Sequence, residues 1–479
     1  MRSSGVLLHI TSLPSPHGIG SLGKEAHAFA DFLAEAGQSM WQVLPLSPTG
    51  YGDSPYQPIS LFAGNPLLID LDTLCEEGWL SQEEIAPPDA DPRSVNYPQV
   101  YAFKRPLLER AADRIAASLP DDFGAFCRKQ SFWLDDYASF AVSKRHNGQR
   151  PWWEWTVRKQ DIPSFEQDVQ NEKILQYLFF RQWETLRRVC SEKGITLIGD
   201  LPIYPGRDSA DFYAHMPLFL TDGKGNPTEV AGCPPDAFSP TGQKWGNPLY
   251  DWDAMRQNGY AFWMERFAHA FSLFDLTRID HFRGLESFYA IEASAVNAVR
   301  GQWRKGPGEA LFDRALTRFS QLPLIAEDLG FLTDEVHALR ERYGFPGMKI
   351  LLFAFDSGPH NPYLPHRYEK NCVLYVGTHD NDTILGWAAS RSTAEVGFAA
   401  DYLRIDPKEG LREGMIKAAL ASTVDRVIFQ MQDLLGLDNS ARMNTPSKAH
   451  GNWCWRMTEE EMSSTLATHL RRLTRLYER

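Results

Sequence analysis

Short apolar runs rich in β-branched residues recur along the chain, at 5–10, 40–44, 196–198, 273–279, 322–326, 348–353, 372–376 and 426–430. Most lack strict alternation of apolar and polar positions, so they read as strands buried on both faces of a parallel sheet. Between several of them, apolar residues recur at helical spacing, at 24–36, 167–193, 260–271, 309–320 and 334–343, and 459–477 reads as a closing helix. Eight strands interleaved with helices predict an α/β fold, a (β/α)8 TIM barrel rather than an open sheet. No repeat of 20–50 residues is present, which excludes a solenoid or propeller.

Uneven spacing between the runs locates the insertions. The pattern predicts one catalytic barrel over 1–479, with a mostly helical insertion at 50–165 after the second strand. A second insertion follows the third strand, a loop or lid at 205–256 rich in Gly, Pro and aromatics. Loops this long without periodicity are usually functional. No linker announces a separate C-terminal β domain.

Composition then narrows the class. With 43% hydrophobic residues in 479 there is ample material for a core, which excludes disorder as the main state. The net charge of −12, without a Lys/Arg-rich stretch, argues against nucleic acid as partner. Six cysteines at 75, 127, 190, 233, 372 and 454 are scattered without a C-x-x-C, which fits neither a disulfide framework nor a zinc ligand set. The N-terminal apolar run is too short for a signal sequence and no run reaches membrane length, so a soluble, cytoplasmic protein is expected. Aromatics make up 12%, and many lie in polar, Gly/Pro-rich stretches where a flat ring would face a ligand.

In such barrels the chemistry comes from the C-terminal ends of the strands. Those ends read Gly199-Asp200-Leu201-Pro202, Arg278-Ile279-Asp280-His281, Ala326-Glu327-Asp328-Leu329 and Thr378-His379-Asp380-Asn381-Asp382. Period 2 puts Arg278 and Asp280 on one face, and a guanidinium beside a carboxylate favours the charged form that a nucleophile needs. Glu327 has apolar flanks, and with Asp280 and Asp380 nearby its pKa would rise, as a general acid requires. A single acid at a strand end commonly caps a helix or pairs with a cation. Four carboxylated ends on one rim are a different case, since like charges crowded together cost stability. His281 and His379 carry no metal-ligand spacing. Gly18 to Gly23 match G-x-G-x-x-G, but no acid ends the following strand, so a tight βα loop is the better reading. A Walker lysine and a G-x-S-x-G elbow are both missing.

The segments GDLPIY, TRIDHFRG, IAEDLG and GTHDND resemble the four catalytic-region motifs of the α-amylase clan. Together with LPLSPTGYGDSPYQ, GCPPDAFSPTGQKWGNPLYDW, QDLLGL, ARMNTP and GNWCWR, they resemble the amylomaltases, the 4-α-glucanotransferases of glycoside hydrolase family 77. The resemblance runs over essentially the whole chain. It implies Asp280 as nucleophile, Glu327 as general acid/base and Asp380 as the third carboxylate. It further implies that Arg278 orients Asp280, that His379, Asp200 and Tyr56 bind the donor sugar, and that Trp245 covers the acceptor side. No cofactor and no metal are implied. The implied partners are an α-1,4-glucan donor and a glucose or maltooligosaccharide acceptor, with no nucleic acid and no membrane, acting as a monomer or weak homodimer. Pro205 stands where typical amylases carry a histidine, which favours the amylomaltase branch, in its compact form without an N-terminal extension. The alternatives are a retaining α-glucan hydrolase of the same clan and a glucan-binding protein without activity, in which Asp280 or Glu327 would be lost.

Overall fold

The computed structural model describes every residue except Met1, 236–238, Ser447 and Ala449, and of Tyr51 the backbone alone. Eight parallel strands form the central sheet: β1 (Ser3–Leu7), β2 (Met40–Gln42), β3 (Thr196–Leu201), β4 (Leu276–Ile279), β5 (Leu324–Ala326), β6 (Gly347–Ile350), β7 (Cys372–Tyr375) and β8 (Arg426–Gln430). Each pairs with its neighbours in sequence, from β6 through β8 to β1 and on to β5. The remaining seam, β5 to β6, is drawn together by one backbone bond, Ala326 N–H to the Pro346 carbonyl at 2.9 Å. Asp328 reinforces it: one oxygen accepts from Met348 N–H at 2.6 Å and the other from Arg340 Nη1 at 2.8 Å. The barrel is thus nearly closed.

All eight apolar runs overlap a barrel strand, but the bounds differ and several strands are shorter than the runs. In 273–279, Leu273 ends the helix Ala261–Leu273 and the strand starts at Leu276. Asp275 interrupts the run because its carboxylate accepts from Leu197 N–H at 2.8 Å, a bond no apolar residue could make. In 348–353 the chain leaves the sheet after Ile350 and turns through Leu351–Phe353 as a 3-10 helix. Gly199 on β3 is dictated by packing: a Cβ there would lie 2.1 Å from the Phe274 ring.

The helices follow the apolar spacing. Lys24–Glu35 buries Ala26, Phe29, Ala30 and Leu33, one stripe at helical spacing. The closing helix Ser464–Leu476 buries Ala467, Leu470 and Leu473, and packs on that first helix. Its N-cap is Ser463, which accepts from Leu466 N–H and satisfies one of the unpaired first-turn donors.

Residues 50–165 hold the helices Leu71–Glu76, Tyr97–Ala116, Phe123–Lys129 and Leu134–His146, of which the last three pack on the long helix Phe165–Glu192. The segment 205–256 differs from the loop expected of it. It holds two strands, Glu229–Cys233 and Gln243–Pro248, which join Ser287–Glu292 and Gln302–Lys305 in a four-stranded antiparallel sheet. These strands carry Gly, Pro and charged residues and depend on one another rather than on periodicity, so they leave little trace in the pattern. The Asp-Ala-Phe of the GCPPDAFSP motif lies outside the described residues. Among the described residues no helix is long and apolar enough to cross a membrane.

Candidate active site

Register across the sheet assembles the site in layers. Asp200 on β3 lies opposite Arg278 on β4, which lies opposite Ile325 on β5. Two residues further along β4 and β5, on the same face and toward the mouth, come Asp280 and Glu327. Arg278 Nη1 donates to both oxygens of Asp200, at 2.8 and 2.7 Å, and Nη2 lies 3.0 Å from Asp280 Oδ1. One guanidinium therefore ties a deep carboxylate to a shallow one. Tyr56 Oη donates to the second oxygen of Asp200 at 2.8 Å. Burial pushes the Asp200 carboxyl up, to about 7, against the pull of Arg278 and the Tyr56 hydroxyl.

Glu327 reaches back over β4. Its Oε2 accepts from His281 N–H at 2.6 Å and its Oε1 from Leu329 N–H at 3.2 Å. His281 presents that N–H because its backbone turns left-handed, with φ 51°. Such a conformation is uncommon and strained for a residue with a Cβ, and it sits directly between Asp280 and Glu327. Burial pushes Glu327 up to about 8, with the Asp280 charge adding to the effect and Arg278 opposing it. The His281 ring is driven down to about 4 by burial, so it is neutral at pH 7.

The end of β7 supplies the opposite wall. Asp380 is open to solvent on one side, its carboxylate 43% exposed. Asn444 Nδ2 donates to its Oδ1 at 2.6 Å, and Arg442 Nη2 donates to its backbone carbonyl at 2.5 Å. The buried His379 ring stacks on Tyr56, centroids 5.2 Å apart and planes 12° apart, and Trp453 leans on both rings at 5.8 and 5.9 Å. Burial holds His379 below the ordinary histidine value, so it too is neutral. Across the mouth, Trp245 on the strand Gln243–Pro248 meets the His281 ring edge-on at 4.8 Å.

Asp200, Arg278, Asp280, Glu327 and Tyr56 thus form one connected cluster. His379 and Asp380 join it through the Tyr56 ring, and Trp245 through His281. Asn444, Arg442 and Trp453 belong to this wall as well. They lie in the segments ARMNTP and GNWCWR, neither of which is at a strand end, so position along the chain does not single them out. The tryptophans of PWWEW (151–155), in one of the polar stretches where a ring would be expected to face a ligand, are mostly used in packing. Trp155 leans on Phe140, and Trp152 and Trp155 both lean on Tyr213. The Trp152 and Trp155 N–H groups are spent on the carbonyls of Arg207 and Arg150. Among the described residues, no group of three or more His, Cys, Asp or Glu side chains is placed to hold a metal ion.

The chemistry of this arrangement is that of two carboxyls in contrasting environments. One is clamped by a guanidinium and open to the mouth; the other is pushed toward its protonated form and held by two backbone donors. A third carboxylate and an aromatic wall face them.

Comparison with known proteins gives one consistent result. The model of the glycoside hydrolase 77 family, described as 4-alpha-glucanotransferase, matches residues 8–463. The 4-alpha-glucanotransferase of Thermus thermophilus is 44% identical over 498 aligned positions, covering 100% of this chain and 99% of its own. That of Streptococcus pneumoniae serotype 4 is 44% identical over 492, covering 100% and 97%. Among solved structures, the amylomaltase of Streptococcus agalactiae in complex with acarbose superposes with a TM-score of 0.96 at 36% identity, covering 100% of both chains. The chain belongs to the glycoside hydrolase 77 family of 4-α-glucanotransferases.

Proposed function

We propose that this protein transfers segments of α-1,4-glucan from a donor chain to glucose or a maltooligosaccharide, with retention at the anomeric carbon. The observation that carries the mechanism is the contrast between Glu327, pushed up to about 8 by burial, and Asp280 beside it on Arg278. Pairs of carboxyls whose environments divide them in this way are the acid and nucleophile of retaining glycosidic chemistry. In the first step the Glu327 proton passes to the glycosidic oxygen as Asp280 attacks the anomeric carbon. The C–O bond to the leaving chain breaks and a glucosyl ester forms on Asp280. In the second step the acceptor 4-hydroxyl gives its proton to the Glu327 carboxylate and displaces Asp280. His281 N–H and Leu329 N–H steady that carboxylate between steps.

Asp380, with its Oδ1 on Asn444, is assigned to the donor sugar's hydroxyls and the positive charge of the transition state. The Tyr56–His379 stack and Asp200 form the floor and back of the same subsite. Trp245, on the Glu327 side, is assigned to the acceptor. An acceptor ring seated there meets the ester before water does, which favours transfer over hydrolysis. Six scattered cysteines without a C-x-x-C fit a reducing, cytoplasmic setting, and a monomer or weak homodimer is proposed with it.

The residue roles are tested by trapping. With α-maltosyl fluoride, whose leaving group needs no acid, Glu327→Gln is expected to accumulate a maltosyl ester. Peptide mass mapping is expected to place it on Asp280. An ester on Asp380 or Asp200 would refute the assignment.

A further inference from the structure

The chain segments that leave the two catalytic strands meet again outside the mouth, on the Glu327 side. Arg283, three residues past Asp280, donates through Nη1 to the carbonyl of Phe331, four residues past Glu327. The Arg283 guanidinium lies over the Trp303 ring at 3.8 Å and near the Phe331 ring at 5.5 Å. Beside them opens a cavity of about 290 Å³, lined among others by Glu286, Ser287, Lys305 and Thr333. That is close to the lower end of ligand-sized sites.

Two features mark it as a built site. Phe331 is 72% exposed, and Trp303, with Arg283 over its ring and Tyr289 against it, is still 39% exposed, so two large rings face water at the cavity. Arg283 is only 6% exposed, and its Nε is buried without a hydrogen-bond partner while the side chain lines the cavity. The cations here are already engaged. Lys305 pairs with Glu286 along the floor, Arg304 pairs with Glu229, and Arg283 holds the Phe331 carbonyl. A site with two of its cations paired, the open Phe331 ring beside a partly exposed Trp303, and hydroxyl and carboxylate groups around them suits a neutral polyhydroxylated ring better than an anion. Four residues of chain span at most about 14 Å, so Phe331 lies within that reach of Glu327.

We propose that this cavity is a distal acceptor-side subsite, in which Phe331 and Trp303 hold a glucosyl unit further along the chain whose end is reacting at Glu327. The inference rests on the glucan-transfer reading. Its consequence is chain-length preference: glucose as acceptor cannot reach the cavity, whereas a hexasaccharide can.

The test compares ¹³C-labelled glucose and ¹³C-labelled maltohexaose as acceptors, with maltotriose as donor and products followed by mass. In Phe331→Ala, a surface change that leaves the core intact, the ratio of kcat/KM on maltohexaose to that on glucose is expected to fall about fivefold, through KM rather than kcat. Phe331→Ala/Trp303→Ala is expected to lower it further. An unchanged ratio, or an equal loss on both acceptors, overturns the subsite. A wild type that makes no longer product from maltotriose overturns the glucan reading itself, which separates the two failures.

Discussion

Replacing Arg278 with Met removes one cation from two carboxylates. The Asp200 side chain is fully buried and takes both bonds from Nη1, so after the change its one remaining side-chain donor is the Tyr56 hydroxyl. Removing one member of a buried pair costs about 3–5 kcal/mol, because the charge left behind has neither partner nor water. The sign with pH follows from Asp200. Its folded pKa, already above the ordinary carboxyl value, rises further without Arg278. The deficit therefore grows as pH rises above about 7, where wild-type Asp200 loses its proton and the variant's keeps it, and levels off below that, where Asp200 is protonated in both folded proteins. Arg278→Met/Asp200→Leu removes both charges and fills the space, and is expected to recover most of the stability. It cannot restore activity, since Asp280 has still lost its 3.0 Å contact to the guanidinium. A hydrogen bond to a charged group contributes about 1.5–3 kcal/mol, or roughly a 10- to 150-fold loss in rate. Urea unfolding followed by tryptophan fluorescence at about pH 9 and about pH 6, on either side of the Asp200 value, with initial rates of glucose release from maltotriose, reads both quantities. A single variant within 1 kcal/mol of wild type, or a double variant that regains activity along with stability, would refute the reasoning.

Glu327→Gln is expected to lower transfer by about 10²- to 10⁴-fold, and the wild-type rate to fall as pH rises past about 8, where Glu327 loses the proton the first step needs. Because burial raises the folded pKa of Glu327, the stability it contributes is full below about 4.5 and lost as pH rises toward about 8. Thermal melts should therefore show Glu327→Gln more stable than wild type at pH 9 and matching it at pH 4. Trp245→Ala should reduce transfer to long acceptors more than donor cleavage, seen as a larger share of new reducing ends. An equal loss of both would make Trp245 a packing residue. Gly199→Ala drives a methyl into the Phe274 ring and should cost about 1–3 kcal/mol in urea unfolding, with Phe274→Leu recovering part of it.

The barrel was legible because its strands are buried on both faces and leave continuous apolar runs. The catalytic cluster was legible because those runs end in acids, and period 2 already puts Arg278 and Asp280 on one face. What escaped depends on contacts between distant segments. Asn444 meets Asp380 across 64 residues, and Trp453 joins the Tyr56–His379 wall from the tail. The strands Glu229–Cys233 and Gln243–Pro248 exist because Ser287–Glu292 pairs beside them, not because their own residues alternate. The aromatics of PWWEW show the reverse error: polar surroundings suggested a ligand face, yet most of the rings serve Phe140 and Tyr213. The left-handed turn at His281, which aims a donor at Glu327, carries no glycine or asparagine to mark it.

Incubating the protein with maltotriose alone, and resolving products by chain length beside a count of reducing ends, tests the central claim most directly. The account predicts free glucose together with maltopentaose and longer chains at a constant number of reducing ends, and almost no conversion by Glu327→Gln. Glucose and maltose appearing with a matching rise in reducing ends would contradict it, and would make the same barrel and carboxylates those of a hydrolase.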